Sequence, residues 1–428
     1  MTAWLLAALA VAAAAAGQAG RPASPPAPAV RAQLDGHVAI VADVLPRGDA
    51  FELRPQLRID VSGEIGARGR LRFGVDALAQ GLAASRRGAP VHDAAFGARD
   101  AWIEIAGSAG DLRAGFGRVI WGRLDEVQPS DVVNPIDAAK FLLDGRSAAR
   151  RPVWFTRARL MPSDRLTIEG VLVPRFRRST FDELDEETSP FNLIAAAVPP
   201  GIDPRPEPVE PEAAMRNVSG GGRVSVTVGR VDIGGAVYRG FDGFGIVQVE
   251  PVPTAGVPPV ALQLRRRHPR FTMAAADFET VAGEWALRGE AAWFGERTFA
   301  GVTRPGLVGG RALDAGVGFD RSAGDVRLFG TLLVRRQWSD ADAGIAATDV
   351  SLLGSIERSF ARERYRARLF GVVNPGDAAG FVRGLFTWSV RDNVSVEASA
   401  AVFLGDGDDL LSRFRDRDFG FTRMVVYF

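Results

Sequence analysis

The residues with the clearest chemical potential are three aspartates and three arginines between positions 118 and 159. Carboxylates that face guanidinium groups across a narrow aqueous path create a transverse field, which sorts passing solutes by charge and dipole. The same pairs can instead anchor a loop to a wall without touching any solute. Both interpretations remain open for Arg118, Asp125, Asp131, Asp137, Arg157 and Arg159.

Covalent and metal chemistry have little support. The chain has no Cys, which excludes thiol nucleophiles and thiolate metal sites, and its three His lie far apart at positions 37, 92 and 268. No Ser or Thr stands at a spacing that ties it to one of these His residues. We therefore expect no enzyme, no bound metal and no cofactor, with a Ca²⁺ site in the acidic stretches 182–187 or 404–410 as an open alternative.

The segment that carries the three aspartates predicts a short helix. Asn134 suits an N-cap, Pro135 suits the first helical position, and Gly145 suits a residue just past the helix end, so a helix is expected over 135–143. Its apolar residues need a surface to cover, and an exposed loop would not supply one. We therefore expect the loop 122–151 to fold inward and pack against a wall.

The elements that must supply this wall are β-strands. After residue 31, apolar and polar residues alternate again and again in stretches of about ten residues, which predicts strands with one apolar face. In one such stretch, Leu53 and Leu57 face one way and Arg54 and Arg58 the other. We count about eighteen stretches of this kind.

The connections between these stretches alternate between short and long. Short ones such as 107–110 and 162–164 carry turn-forming residues, and they alternate with long ones such as 81–96, 122–151 and 176–217. A soluble β-sandwich has no reason to sort its loops in this way. An outer-membrane barrel does, because its tight turns lie on the periplasmic side and its long loops lie outside.

Hydrogen bonding turns this pattern into a fold prediction. Hydrocarbon offers the backbone no partners, so a sheet crosses a bilayer only as a closed ring. The sequence therefore predicts an all-β fold, a transmembrane antiparallel up-and-down β-barrel of about 16–18 strands with an infolded third external loop. A secreted sandwich or solenoid is less favoured, because the chain lacks a fixed repeat length and rows of Arg oppose the apolar faces.

The alternation also assigns each face of the sheet to a solvent. Trp154, Trp285, Trp293, Phe386 and Trp388 fall on the apolar face, where lipid and an aromatic girdle are expected. The polar face carries about fifteen arginines and about twelve carboxylates, so many will pair across strands, and the excess of arginine favours anions slightly. The arginines of this face that we expect to line the pore, besides Arg157 and Arg159, are Arg54, Arg58 and Arg72.

Both ends of the chain carry signals for export and assembly. An Ala-rich apolar stretch too short to span a bilayer predicts a signal peptide at 1–19, a Pro-rich lead-in follows at 20–31, and 32–428 remains for the barrel. The last strand ends on Phe428. This resembles the C-terminal signature by which the outer-membrane assembly machinery recognises its barrels, so that machinery is an expected partner.

One stretch resembles a known group of proteins. Gly117 and Arg118 precede a W-G-x-x-D run that ends at Asp125, and a D-x-x-x-P-x-D run follows at 131–137, with Val119 where Gln is common. The stretch resembles one in uncharacterised porin-like bacterial outer-membrane β-barrel proteins, over about 111–180. The resemblance implies a porin-like barrel, and an infolded third loop that narrows the lumen is an analogy with general porins.

Together these features predict a channel in the bacterial outer membrane for passive diffusion or uptake of small solutes, constricted by loop 122–151. The expected partners are membrane lipid and small solutes, and a net charge of +1 argues against nucleic acid. The alternative is a structural or adhesive barrel with a closed lumen, which acts through the external loops 177–217 and 241–267. The sequence does not indicate an oligomeric state.

Overall fold

The computed structural model describes residues 30–46, 49–65, 71–196, 203–254, 257–300, 306–339, 348–407 and 409–428. The predicted signal peptide, and the predicted lead-in up to residue 29, lie outside the described residues. Val30 and Arg31, which the sequence assigned to the lead-in, already belong to the first strand.

Eighteen strands form one closed antiparallel sheet. Each barrel strand pairs with the barrel strands before and after it, and β21 pairs back with β1. The predicted up-and-down barrel is therefore confirmed. The barrel strands are β1 (Val30–Leu45), β2 (Ala50–Ile65), β3 (Leu71–Arg86), β4 (Ala89–Gly107), β5 (Gly110–Gly117), β6 (Val153–Ser163), β7 (Leu166–Val173), β9 (Ser219–Val228), β10 (Val231–Phe241), β13 (Arg270–Ala282), β14 (Trp285–Ala300), β15 (Leu307–Ala323), β16 (Val326–Ser339), β17 (Thr348–Phe360), β18 (Tyr365–Asn374), β19 (Ala379–Arg391), β20 (Val394–Leu404) and β21 (Phe419–Tyr427).

The last residue completes the seam between the two terminal strands. The backbone N–H and C=O of Phe428 both bond to Gly36, each at 3.0 Å. A Cβ on Gly36 would lie 2.6 Å from the Phe428 ring, so only a glycine there lets the ring lie across β1. The ring itself stays 59% exposed.

The two faces of the sheet differ as the alternation predicts. In β1, Val38 and Ile40 are 44% and 53% exposed, whereas Ala39 and Val41 are 2% and 7% exposed. Val38 and Ile40 therefore point outward, away from the lumen, whereas Ala39 and Val41 point inward. Among the described residues, no helix is both long enough and apolar enough to span a membrane.

One loop prediction is wrong. The long connection expected at 81–96 is a β-hairpin, because β3 continues to Arg86 and β4 begins at Ala89, with a tight turn at Arg87 and Gly88 between them. Both turn residues have positive φ, 50° and 76°, which is the conformation of a two-residue hairpin turn. The small residues that flank the turn hide the strand pattern in the sequence.

The long loops also contain structure that the sequence did not predict. Within the loops expected at 177–217 and 241–267, β8 (Asp203–Val209) pairs parallel with β12 (Val257–Arg267), which pairs antiparallel with β11 (Ile246–Thr254). The Pro-rich composition of these segments concealed them. Short helices are α1 (Ala138–Asp144), α2 (Arg146–Ala149) and α3 (Leu193–Ala196), with 3₁₀ turns at Met215–Asn217 and Ser412–Phe414.

Candidate pore and its constriction

The connection between β5 and β6, residues 118–152, is here called L3. Asn134 ties together its two ends: its side-chain oxygen accepts the Val119 N–H at 2.8 Å, and its amide donates to the carbonyls of Arg151 at 2.9 Å and Gly117 at 3.3 Å. All of these atoms come from the neck of the loop. Asn134 therefore fixes the direction in which L3 leaves the wall.

This use of Asn134 changes the start of the helix. The expected helix at 135–143 is observed as α1 at 138–144, with Asp137 and not Asn134 at the N-cap. The Asp137 carboxylate accepts the Lys140 N–H at 3.0 Å, and a β-bridge between Ile136 and Arg150 keeps the preceding residues extended. Gly145 follows the helix with a φ of 84°, as expected of a residue past the C-terminus.

L3 crosses the lumen to strands β13, β14 and β15. Glu290 of β14 accepts the Arg123 N–H at 2.9 Å and both the N–H and the hydroxyl of Ser130, at 2.6 and 2.7 Å. The guanidinium of Arg123 bonds to Asp277 of β13 at 2.7 Å. Leu124 is 1% exposed and packs against Gly316 of β15, where a Cβ would come within 2.8 Å of it.

The opposite part of L3 contacts strands β18 to β21. Arg368 pairs with Glu126 at 2.7 Å, and Arg423 pairs with Asp144 at 2.8 Å. Arg383 donates to the Leu142 carbonyl at 3.1 Å. Because L3 is held by both groups of strands, it divides the lumen, and the predicted infolding of the third loop is observed.

Two cavities lie on either side of L3. The larger, about 1590 Å³, opens toward the long loops and is lined by Phe294, Arg335, Arg368 and Leu410 among others. The smaller, about 390 Å³, lies toward the short turns and is lined by Arg223, Glu279 and Arg288. Asp125 and Ile120 line both cavities. These two residues therefore lie between the two spaces.

Asp125 is the L3 carboxylate at that point. It forms an ion pair with Arg288 of β14 at 2.8 Å, and its side chain is 39% exposed. Arg288 also bonds to Glu279 of β13 at 3.0 Å. Burial raises the pKa of Asp125, and the nearby Arg288 opposes that rise.

The other two aspartates of the predicted set have different partners from those expected. Asp131 pairs with Arg146 at 3.0 Å and with Arg150 at 2.7 Å, both within L3. Asp131 also borders the larger cavity. Asp137 is fully buried, and besides capping α1 it accepts the Glu183 N–H at 2.8 Å. Neither aspartate meets Arg118, Arg157 or Arg159.

The predicted arginines of the β2–β6 wall pair with carboxylates of that same wall. Arg58 bonds to Asp76 at 2.8 Å through two nitrogens, and Arg159 pairs with Asp111 at 2.7 Å. The remaining pairs are Arg72 with Glu64 at 3.3 Å, Arg118 with Asp100, and Arg157 with Asp111 at 3.3 Å. Apart from Arg118, which lies in L3, these arginines pair across neighbouring strands, and none of them meets Asp125, Asp131 or Asp137.

Arg54 does not reach open water. It is 5% exposed and lies between Glu52, at 2.5 Å, and Asp182, at 2.9 Å, with Asp43 at 3.4 Å. Arg86 pairs with the same Glu52 and Asp182, at 2.8 and 3.3 Å. Asp182 belongs to the connection between β7 and β9, residues 174–218, here called L4. These ion pairs hold L4 against the inner face of β2 and β3.

L4 is also joined to L3. Glu183 forms ion pairs with Lys140, the only lysine of the chain, and with Arg151 at 3.2 Å. Burial by itself raises the pKa of Glu183, but the attraction of Lys140 and Arg151 is larger, and together they lower the pKa to about 2. Glu183 is therefore ionised at every pH at which the ion pairs matter.

The acidic stretch of L4 thus has arginine and lysine partners. Glu186 pairs with Arg178 at 2.7 Å and with Arg266 at 3.1 Å. Within the described residues, no three His, Cys, Asp or Glu side chains lie close enough together to hold a metal ion. Of the His residues, His37 packs against Tyr427 and the Nδ1 of His268 lies 2.8 Å from the Asp242 carbonyl.

Arg123, Arg288 and Glu290 are central to this site, yet the sequence did not predict their contacts. Each appears in the sequence as an ordinary member of an alternating strand or loop. Their contacts between L3 and the wall join residues more than 150 positions apart, such as Glu290 and Ser130, which are separated by 160. Strand periodicity predicts which side chains face inward, but it does not predict how far along each strand L3 makes contact.

Comparison with known proteins supports the fold. No protein-family model matches the chain, and no curated protein is similar to it in sequence. Among solved structures, it is similar to a BenF-like porin from Pseudomonas fluorescens Pf-5, with a TM-score of 0.51, 12% identity and coverage of 93% of this chain and 98% of that one. Pseudomonas aeruginosa OccK7 (OpdD) and Acinetobacter baumannii OccAB1 each give a TM-score of 0.50 and 10% identity over 93% of this chain, and 98% and 95% of theirs.

Proposed function

We propose that this chain is an outer-membrane channel through which small solutes diffuse passively. The observation that supports this most directly is the position of L3, which divides the lumen but leaves Asp125 and Ile120 in contact with the space on both sides. A solute that crosses the barrel passes these residues. The short turns then face the periplasm and the long loops face outward.

The passage is charged, so it acts on ions. Asp125 and Arg288 lie 2.8 Å apart and face each other from L3 and from the wall, which gives the passage a field across its width. Asp131 lies beside the larger cavity, beyond this point. The wall arginines Arg58 and Arg159 are each neutralised by a carboxylate of the wall. Asp125 and Arg288 therefore set the ion preference.

The test is the reversal potential across a planar bilayer under a KCl gradient. Asp125→Asn removes the negative charge that offsets Arg288. The ratio of anion to cation permeability is therefore expected to rise roughly fivefold, which is the effect of one charge about 4 Å from the ion path in water. Arg288→Gln shifts the preference toward cations for the same reason.

The matched control is Glu284→Gln, which also removes a carboxylate paired with an arginine, Arg321 at 2.7 Å, but at a turn away from L3. It is expected to leave the reversal potential unchanged. Equal reversal potentials for the wild type, Asp125→Asn and Arg288→Gln would show that ions do not pass this pair.

A structural or adhesive barrel with a closed lumen is a second candidate, because L4 and L3 pack together over the inner face of β2 and β3. In that case, the long loops, including 177–217 and 241–267, would carry the function. Folded protein that inserts into a bilayer but gives no current steps would favour this candidate over the channel.

A further inference from the structure

Four arginines point outward from the barrel near its long-loop end. Arg239 lies on the same face of β10 as Val237, which is 59% exposed, while the intervening Tyr238 is 4% exposed. The same alternation places Arg311 of β15 on the outer face, because Ala312 beside it is 3% exposed and Val317 is 54% exposed. The others are Arg270 of β13 and Arg336 of β16.

Strand register brings these arginines into one patch. Arg239 is opposite Thr272, and Thr272 is opposite Glu296. Arg297 is opposite Gly310, which places Glu296 beside Arg311. Arg270 and Arg336 lie two residues from this row, on β13 and on β16. Neighbouring strands are about 4.8 Å apart, so the patch is roughly 20 Å wide.

The patch lies at the edge of the apolar band. On β15, the outward residues between Arg311 and Arg321 are Leu313, Ala315, Val317 and Phe319. Ten residues at about 3.3 Å each, on a strand tilted by about 40°, rise roughly 25 Å, which is the height of the apolar band of such barrels. Arg311 therefore lies at the level of lipid headgroups, on the long-loop side.

The patch carries an excess of positive charge. Within the described ranges, none of the four arginines has a carboxylate partner, and Glu296, the one acidic side chain in the row, lies 3.4 Å from the Thr272 hydroxyl. Arg270 stacks over Phe241 at 4.3 Å, and Arg336 lies over Trp338 at 5.7 Å. Arg270 also donates to the Arg216 carbonyl, and Arg336 donates to the Thr348 hydroxyl at 2.5 Å. All of these partners are neutral, so they orient the guanidinium groups without compensating their charge.

We infer that this patch binds the phosphate groups of a membrane lipid headgroup, in the leaflet on the long-loop side. Guanidinium groups bind phosphate through paired hydrogen bonds. Trp338 lies opposite Arg311, and Trp293, in contact with it at 5.4 Å, lies opposite Leu313, so these rings pack against the same lipid's glycerol and upper acyl region. The inference rests on the membrane location of the proposed function but not on the passage of solutes.

The test counts bound lipids by native mass spectrometry on the purified full-length chain in neutral detergent. The probe is phosphatidic acid, and diacylglycerol with the same acyl chains is the lipid without phosphate. The wild type is expected to retain phosphatidic acid in preference to diacylglycerol. Arg239→Gln combined with Arg311→Gln is expected to weaken phosphatidic acid binding at least about tenfold, because each basic residue near an anionic headgroup adds to the attraction.

The control removes two arginines from the lumen side, Arg327→Gln with Arg366→Gln, so the net charge changes equally. Heat-modifiable migration in a gel verifies that each variant is folded, and the control is expected to bind phosphatidic acid as the wild type does. Glycerol phosphate that displaces the lipid at equal concentration would show that the site binds free phosphate compounds and would overturn the lipid assignment. Equal binding by the wild type and the Arg239/Arg311 double variant would overturn the site.

Discussion

The arginines of the barrel wall differ in how much their ion pairs stabilise the fold. Arg54 has a side chain that is 6% exposed and three carboxylates around it, whereas the side chain of Arg72 is 47% exposed and its nearest partner, Glu64, is equally accessible. Exposed ion pairs contribute little because water screens them, but removal of one member of a buried set leaves charges without compensation. The two residues therefore offer a matched comparison.

Arg54→Met is expected to destabilise the folded barrel by about 3 kcal/mol or more, because Asp43 then loses the arginine beside it and Glu52 and Asp182 keep only Arg86. Arg72→Met is expected to cost less than about 1 kcal/mol. The measurement is the temperature at which the heat-modifiable band is lost in a gel. Equal transition temperatures for the two variants would contradict the buried role of Arg54.

At the residue scale, the sequence predicts orientation better than partners. Alternation places Arg54 on the inner face of β2 because Leu53 and Pro55 on either side are apolar, and the structure agrees. The sequence could not show that L4 would cover Arg54, since Asp182 lies 128 residues away. Burial of an inward arginine depends on a loop contact that strand periodicity does not contain.

L3 and L4 act as one packed unit inside the mouth of the barrel. Asp137 of L3 accepts an N–H from Glu183 of L4, and Glu183 pairs with Lys140 and Arg151 of L3. Since the pKa of Glu183 is lowered to about 2, its ion pairs stabilise the folded loops fully above its usual pKa of 4.5. That stabilisation is lost as the pH falls from 4.5 through 2.

Hydrogen exchange over residues 178–192 tests this contact. The wild type is expected to keep strong protection from pH 7 down to about 4.5 and to lose it below that pH. Glu183→Gln is expected to lower protection already at pH 7 and to flatten the dependence on pH. Glu187→Gln, which changes an exposed carboxylate of the same loop, is the control. Identical protection in the wild type and in Glu183→Gln at pH 7 would refute the ion-pair role.

The limits of sequence prediction for elements are also physical. The infolding of L3 was predicted from the apolar residues of α1, and two of these, Ala139 and Leu143, are buried in the structure. The helix start was misplaced because Asn134 and Asp137 are both good caps, and only the neck contacts of Asn134 with Gly117 and Arg151 decide between them. The strands β8 and β11 were missed because their Pro-rich composition is typical of loops.

At the scale of the whole molecule, closure of the sheet is the property that the sequence predicts best. Eighteen alternating stretches predict eighteen strands, because each must bury its backbone polar groups in hydrogen bonds while it presents one apolar face. The seam between β1 and β21 then follows, and Gly36 and Phe428 complete it. What the sequence does not reveal is the width of the lumen, since L3 sets that width through contacts with β14 and β18.

The most direct test of the channel is single-channel recording of the purified chain in a planar bilayer of neutral lipid in KCl. An open lumen narrowed by L3 predicts uniform, stable current steps at constant voltage, from protein that migrates in a gel as a folded barrel. Folded protein that incorporates into the bilayer without such steps would contradict the account.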